Sequence, residues 1–269
     1  MNMQSQLLEG IQMEEVLQVK EINKIYQGKV AFQALTNVSF SVEKGEFIGI
    51  MGPSGSGKTT LLNLISTIDK PTSGKVLING QDPHQLKKER LAEFRRKELG
   101  FVFQDFNLLD TLTLEENIML PLTLENVDPE LIEEKVKTIS KKLGIDAILT
   151  KRTYEVSGGQ KQRTAIARAI IHQPKLLLAD EPTGNLDSKA SKDVMQTLQM
   201  INENDQTTML MVTHDPYAAS YCHRVIFIKD GKLYNEIYRG TDQKAFFQQI
   251  MDVLSMLGGD RDDFSTVRL

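Results

Sequence analysis

The chain has 269 residues, 40% of them apolar and 25% charged, an ordinary composition for a folded protein of one large domain or two small ones. A net charge of −4 and a single cysteine, Cys222, argue against nucleic acid as a partner and exclude an intramolecular disulfide. No apolar run approaches the roughly 20 residues that cross a bilayer, and no basic-then-apolar leader opens the chain, so the chain is expected to be cytosolic, with any business at a membrane run through a partner.

Residues 1–12 are polar and glutamine-rich without a period, which predicts a flexible tail. Residues 16–20 and 34–42 predict strands, the second with the alternation of one wet face. Residues 47–51, 176–179 and 209–212 are apolar almost throughout, as strands are when a parallel sheet is covered on both faces. Each of these runs stops at polar residues: 52–60, Asp180-Glu181 and Thr213-His214-Asp215. Ligands of open α/β sheets bind beyond the carboxyl ends of strands, so three strands deliver their chemistry to one edge.

Residues 87–97 are basic and predict a solvated helix face, with a phosphate or headgroup surface as the alternative. From Leu108 to Ile171 the pattern is mainly helical, and Leu131, Ile132, Val136, Ile139 and Leu143 form one amphipathic stripe. This predicts a helical subdomain over about residues 105–172, inserted in an α/β core. Near the C-terminus, Phe246, Phe247, Ile250, Met251, Leu254 and Leu257 share a helical stripe. Such a helix either packs on its own domain or docks a second chain.

Gly52-Pro53-Ser54-Gly55-Ser56-Gly57-Lys58-Thr59 fits the phosphate-binding loop G-x-x-x-x-G-K-[ST], between a buried strand and a helix start at residues 61–65. Glycines let the backbone N–H groups converge on phosphate oxygens, and the helix N-terminus adds its positive end. Lys58 supplies a full charge to the terminal phosphates, and the Thr59 hydroxyl can ligate Mg²⁺. Asp180 is placed to hold that ion, and Glu181, one step further, to deprotonate an attacking water. His214 ends another strand, where an imidazole can meet the γ-phosphate; alone it would more often be structural.

Ser157-Gly158-Gly159-Gln160, before an apparent helix at 161–171, makes a second anion-binding helix start. With it the chain resembles the ATP-binding cassette (ABC) ATPases over about residues 16–238. The resemblance implies a P-loop NTPase (RecA-like) core with an antiparallel β subdomain and an inserted α-helical signature subdomain. It divides the chain into the tail (1–12), the ATPase domain (13–240) and a C-terminal helical extension (241–269). It also implies ATP and Mg²⁺ as cofactors and a head-to-tail homodimer in which each nucleotide lies between one copy's P-loop, Thr60 included, and the other copy's Ser157–Gln160. Tyr26 matches the residue that stacks on adenine, an inward-packing strand residue being the alternative. Gln104 matches the family's Q-loop glutamine, near Mg²⁺ or the water and beside the groove for a permease. Asp187, in Asn185-Leu186-Asp187, matches the D-loop that couples the two sites. Val156 stands where the family usually has leucine, a conservative departure.

Residues 180–187, Glu116–Leu122 and Thr213-His214-Asp215 resemble the ATPases of lipoprotein-release, macrolide-efflux and cell-division systems, which transmit force across a membrane. Residues 212–222 and the stretch Phe246-Phe247-Gln248-Gln249-Ile250-Met251 are more similar still to the bacitracin-type (Bce-type) antimicrobial-peptide resistance ATPases. That resemblance implies a separate permease as partner and, through it, a sensor histidine kinase. A soluble ABC ATPase of DNA repair or translation is the remaining alternative, disfavoured by a lone cassette with no coiled-coil heptads.

Overall fold

The structure, a computed structural model, describes residues 14–258. The tail expected at 1–12 and the end of the expected extension lie outside the described residues.

Two sheets organise the chain. Strands β1 (Glu15–Tyr26), β2 (Phe32–Glu43) and β4 (Ser73–Ile78) pair antiparallel in the order β2–β1–β4. The second sheet contains β3 (Phe47–Met51), β5 (Leu99–Val102), β6 (Leu176–Asp180), β7 (Met209–Val212), β8 (Arg224–Lys229) and β9 (Lys232–Tyr238) in the order β5–β6–β7–β3–β8–β9. All its pairings are parallel except β8–β9. The three fully apolar runs are thus β6, β7 and β3, adjacent and parallel, so their polar ends share one edge.

The pleat explains why those strands lack alternation. Phe47, Met51, Met209, Met211 and Leu177 face one hydrophobic cluster, whereas Ile48, Ile50, Leu210, Val212 and Leu178 face another. Successive side chains point to opposite faces, and both faces are covered. The antiparallel sheet and α1 (Lys58–Ile65) cover one side, through Leu17, Ile22, Leu35, Leu61 and Ile65.

The other side is covered by helices. They are α3 (Leu114–Leu124), α4 (Pro129–Lys142) and α5 (Gly158–Ile170), between β5 and β6, together with α6 (Ser188–Asp205) and α8 (Gln243–Leu257). Local signals start them: Thr113 and Glu116 form a reciprocal capping box on α3, and Asp128 caps α4 with Pro129 at its first turn. The basic segment forms α2 (Lys88–Glu98), which buries Phe94 alone and sends Arg96 to Glu125 at 2.6 Å and Lys97 to Glu93 at 2.7 Å.

Short α7 (Pro216–Ala219) follows β7 and carries α8. Phe246, Ile250, Val253, Leu254 and Leu257 of α8 are buried in the cluster beneath it, and Gln243 Nε2 donates to Ser220 Oγ at 3.0 Å. Of the two roles open to this helix, its apolar stripe serves its own chain. Among the described residues no helix is long and apolar enough to cross a membrane.

Candidate active site

β3 ends at Met51 and α1 begins at Lys58, so the glycine-rich loop spans the carboxyl end of the central strand. The loop runs hard against its neighbours. A Cβ on Gly52, at φ 151°, would lie 2.0 Å from Ile228 O, and one on Gly57, at φ 106°, would lie 2.7 Å from Ala34 O. Only glycine fits there. The first-turn N–H groups of α1 lack intrahelical acceptors, and no acidic side chain sits in that turn. Lys58 Nζ donates to Gly52 O at 2.8 Å and Pro53 O at 2.9 Å, holding the ammonium under the loop. Burial pushes the Lys58 pKa down, while the charges of Glu181 and Asp180 push it back up. Ser54 and Gly55 of the loop and Thr59 of α1 are exposed, and Thr60 is half-buried.

Asp180 is the last residue of β6. Burial and the neighbouring Glu181 charge raise its carboxyl pKa against the pull of Lys58. Glu181 adopts the left-handed conformation, φ 46°. Its backbone is pinned by Glu181 N to Val212 O and Gly184 N to Glu181 O, both 2.9 Å. Both carboxylate oxygens are engaged by one residue: His214 Nδ1 donates to Oε1 at 2.8 Å and His214 N to Oε2 at 3.2 Å. The hydrogen bond to Glu181 raises the His214 pKa above its ordinary value, against desolvation.

Gln104 lies against this turn. A Cβ on Gly184 would sit 2.9 Å from its amide, and Gln104 Nε2 donates to Asn185 Oδ1 at 3.3 Å. Asn185 Nδ2 donates in return to Gln104 O at 3.2 Å and Asp105 Oδ1 at 2.7 Å. Two further residues hold this junction and carry no sequence signal for it. Gln162, fully buried on α5, donates to Pro182 O at 2.8 Å and Phe103 O at 3.4 Å. Arg168 donates to Asn107 O at 2.6 Å and Phe106 O at 2.9 Å, two residues in left-handed conformations. On an amphipathic helix, a glutamine and an arginine read simply as wet-face residues.

Ser157 and Gln160 form a capping box at the start of α5: Ser157 N donates to Gln160 Oε1 at 2.9 Å and Gln160 N to Ser157 Oγ at 3.3 Å. Gly158 and Gly159 pack close to Leu186 and Ala190. Asp187 caps α6, accepting from Ala190 N at 2.8 Å. Among the described residues no hydrogen bond or ion pair joins Ser157–Gln160 to Lys58, Asp180, Glu181 or His214.

Tyr26 does not pack inward. It is 39% exposed, its hydroxyl donates to Asp69 Oδ2 at 3.0 Å, and the Lys24 ammonium lies 4.7 Å from its ring centre.

For a divalent cation, the candidate donors are a hydroxyl (Thr59), a carboxylate (Asp180) and an amide oxygen (Gln104). Among the described residues the Asp180 carboxylate accepts no hydrogen bond, and no cluster of three or more His, Cys, Asp or Glu could hold a metal by protein alone. Hard oxygen donors with one carboxylate suit Mg²⁺, which takes the rest of its shell from phosphates and water. The edge can therefore hold a polyphosphate, carry a magnesium ion beside it and present a carboxylate to water.

The chain is similar to known proteins. The ABC transporter family model matches residues 35–184. The ABC transporter ATP-binding protein YxdL of Bacillus subtilis is 68% identical over 257 residues, 96% of this chain and 100% of that protein. The bacitracin export ATP-binding protein BceA of Halalkalibacterium halodurans is 50% identical over 250 residues, 92% of this chain and 99% of that one. Among solved structures, the dimer of the Methanocaldococcus jannaschii cassette MJ0796 in a post-hydrolysis state with ADP and Pi has a TM-score of 0.76 and 40% identity, covering 83% of this chain and 99% of that one.

Proposed function

The chain belongs to the ABC transporter family as an ATP-binding subunit whose ATP hydrolysis is coupled to transport, and on that premise we propose that it powers a separate membrane permease that removes, or confers resistance to, bacitracin-like peptide antibiotics. The half-identity to a bacitracin export subunit, along nearly the whole of both chains, supports this finer reading.

Glu181 carries the chemistry. Clamped at both oxygens by His214, it faces the attacking water as a fixed base and takes its proton as the water oxygen bonds to the γ-phosphorus and the bond to the β–γ bridging oxygen breaks, so that ADP and phosphate leave. His214, with Nδ1 given to Glu181, keeps Nε2 for a phosphate oxygen and donates there when protonated. Gly52, Ser54, Gly55, Gly57, Lys58, Thr59 and Thr60 hold the triphosphate through backbone N–H groups and the Lys58 charge. Thr59, Asp180 and Gln104 would hold Mg²⁺, which when bound neutralises charge on the β- and γ-phosphates. Tyr26 stacks on adenine.

The second anion-binding turn belongs to the nucleotide of another copy. Ser157, Gly158, Gly159 and Gln160 close over the γ-phosphate held by the partner's P-loop, and Asp187 links the two sites. Loss of that phosphate opens the pair, and the motion passes to the permease beside Gln104. The protein thereby sits peripherally on the cytoplasmic face of the membrane, and a sensor histidine kinase is reached only through the permease.

The test is co-expression with the permease of the neighbouring reading frame, followed by ATPase assays of the complex in vesicles. Hydrolysis that rises on addition of bacitracin supports the reading. Hydrolysis that responds instead to a lipoprotein or a macrolide moves the subunit to another branch of the family.

A further inference from the structure

A half-exposed tyrosine ordinarily rotates freely, and a lysine is rarely buried without a reason. Here the two are joined. Lys24, on β1, is 9% exposed. Its ammonium donates to Asp69 Oδ1 at 2.7 Å and Lys70 O at 2.8 Å. The other Asp69 oxygen accepts the Tyr26 hydroxyl at 3.0 Å. Burial pushes the Asp69 pKa up, but the hydrogen bonds from Lys24, Lys70 N and Tyr26 hold it below its ordinary value, so both oxygens stay acceptors. The same ammonium lies 4.7 Å from the centre of the Tyr26 ring. One ring face thus lies under a cation and the hydroxyl end is tied, while the residue keeps 39% of its surface exposed.

We propose that Lys24 and Asp69 are positioning residues for nucleobase binding: together they lock the Tyr26 ring as a preformed platform on which the base lies. The proposal rests on Tyr26 being the stacking residue. Burying the Lys24 ammonium costs desolvation, and a solvent-facing ring needs no such partner for stability; a ring that must be still before its ligand arrives does. Preorganisation of this kind lowers the ordering cost of binding. The ammonium also draws π-density toward its own side, so the opposite face favours a flat, polarizable base over another cation.

The lock is tied to the triphosphate cradle as well. Asp69 N donates to Asn63 O of α1 at 3.0 Å, the helix whose first turn follows the glycine loop. Ile25 N donates to Thr72 Oγ1 at 2.9 Å, and Thr72 N to Asn23 O at 2.8 Å. Platform and cradle therefore share one helix and one turn, which sets the span between base and phosphates.

The experiment compares calorimetric affinities of the full chain for ATP and for inorganic tripolyphosphate, which has no base. The variants are Tyr26→Ala, Tyr26→Phe, Asp69→Asn and Lys24→Met. Loss of the ring in Tyr26→Ala weakens ATP by about tenfold or more. Loss of the lock in Tyr26→Phe or Asp69→Asn, with the ring kept, weakens ATP by about three- to tenfold. Tripolyphosphate binds all the variants as it binds the native chain.

If Tyr26→Ala weakens ATP but Tyr26→Phe does not, the lock is overturned and stacking stands. If Tyr26→Ala binds ATP normally, stacking fails and the lock falls with it. If Asp69→Asn weakens ATP and tripolyphosphate alike, Asp69 merely supports α1 and the proposal is overturned. Should Asp69→Asn or Lys24→Met not fold, Tyr26→Phe decides alone, since it removes only a hydroxyl.

Discussion

Glu181 and His214 meet twice: the imidazole and the backbone N–H of one residue occupy both oxygens of the other, at 2.8 and 3.2 Å. Replacing Glu181 with Gln keeps the size and the left-handed backbone but removes the base. Turnover is expected to fall by about 10²- to 10⁴-fold, while ATP binding persists and an ATP-bound dimer accumulates. Phosphate release and size-exclusion chromatography with ATP and Mg²⁺ read the two effects; steady hydrolysis in this variant would remove Glu181 from the role.

The same pair predicts a titration. Because Glu181 raises the His214 pKa above the ordinary 6.5, the charged pairing is complete below 6.5 and disappears as pH rises through the raised value. In Glu181→Gln the His214 titration should move down toward 6.5. NMR of the imidazole protons measures it, and an unmoved titration would show that the carboxylate is not its cause.

Three other histidines shift the opposite way. Burial lowers the pKa of His84, His172 and His223 below 6.5. His84 and His172 each have a buried Nδ1 with no partner among the described residues. A histidine held neutral in the fold favours folding above the unfolded value and opposes it below, where the unfolded chain takes up the proton. The thermal midpoint is therefore expected to decline as pH falls below 6.5, and to decline less in His172→Gln. Calorimetric scans across pH 5 to 8 test this.

Gln162 ties the start of α5 to the backbone on either side of the chemistry, Pro182 beyond Glu181 and Phe103 before Gln104. Gln162→Leu keeps the helix and cuts both ties. We expect stability to drop by about 1–3 kcal/mol. Because small misplacements of reacting groups are costly, kcat should drop by about tenfold or more, with ATP affinity little changed. A loss of ATP affinity in proportion to kcat would place Gln162 in binding instead.

Phe246 is 1% exposed and anchors α8. Phe246→Ala should cost about 3–5 kcal/mol. As α8 packs on α7, which begins two residues after His214, the variant should also broaden the His214 imidazole signal. Chemical denaturation and the same NMR spectrum check both.

The central strands could be read from the sequence because β3, β6 and β7 are buried on both faces and leave unbroken apolar runs. The remaining strands are legible only in part. β9 is a largely exposed edge strand defined by its pairing with β8. β1 shows register shifts between Val19 and Ile22 and between Ile22 and Lys24. Those irregularities break the alternation, so the strand reads as ending at residue 20 although it runs to Tyr26. The phosphate loop, the Asp180-Glu181 pair and the capping box at Ser157 are local motifs and carry their chemistry within a few residues. The Asp69–Tyr26, Gln162–Pro182 and Arg168–Phe106 bonds link residues 43, 20 and 62 positions apart, a distance at which sequence pattern is silent.

One apolar cluster runs without a break from Ile118, Val136 and Leu143 of the helical segment, under the central sheet, to Phe246 and Leu254 at the far end of the chain. Contacts of this kind have no preferred direction. Helices and sheet are held together by close, interdigitated packing along the whole cluster, and pulling them apart would open a large dry seam. A helical segment that moves as one body keeps this packing intact, and Gln162, which donates to Pro182 O and Phe103 O, is a polar tie that moves with it.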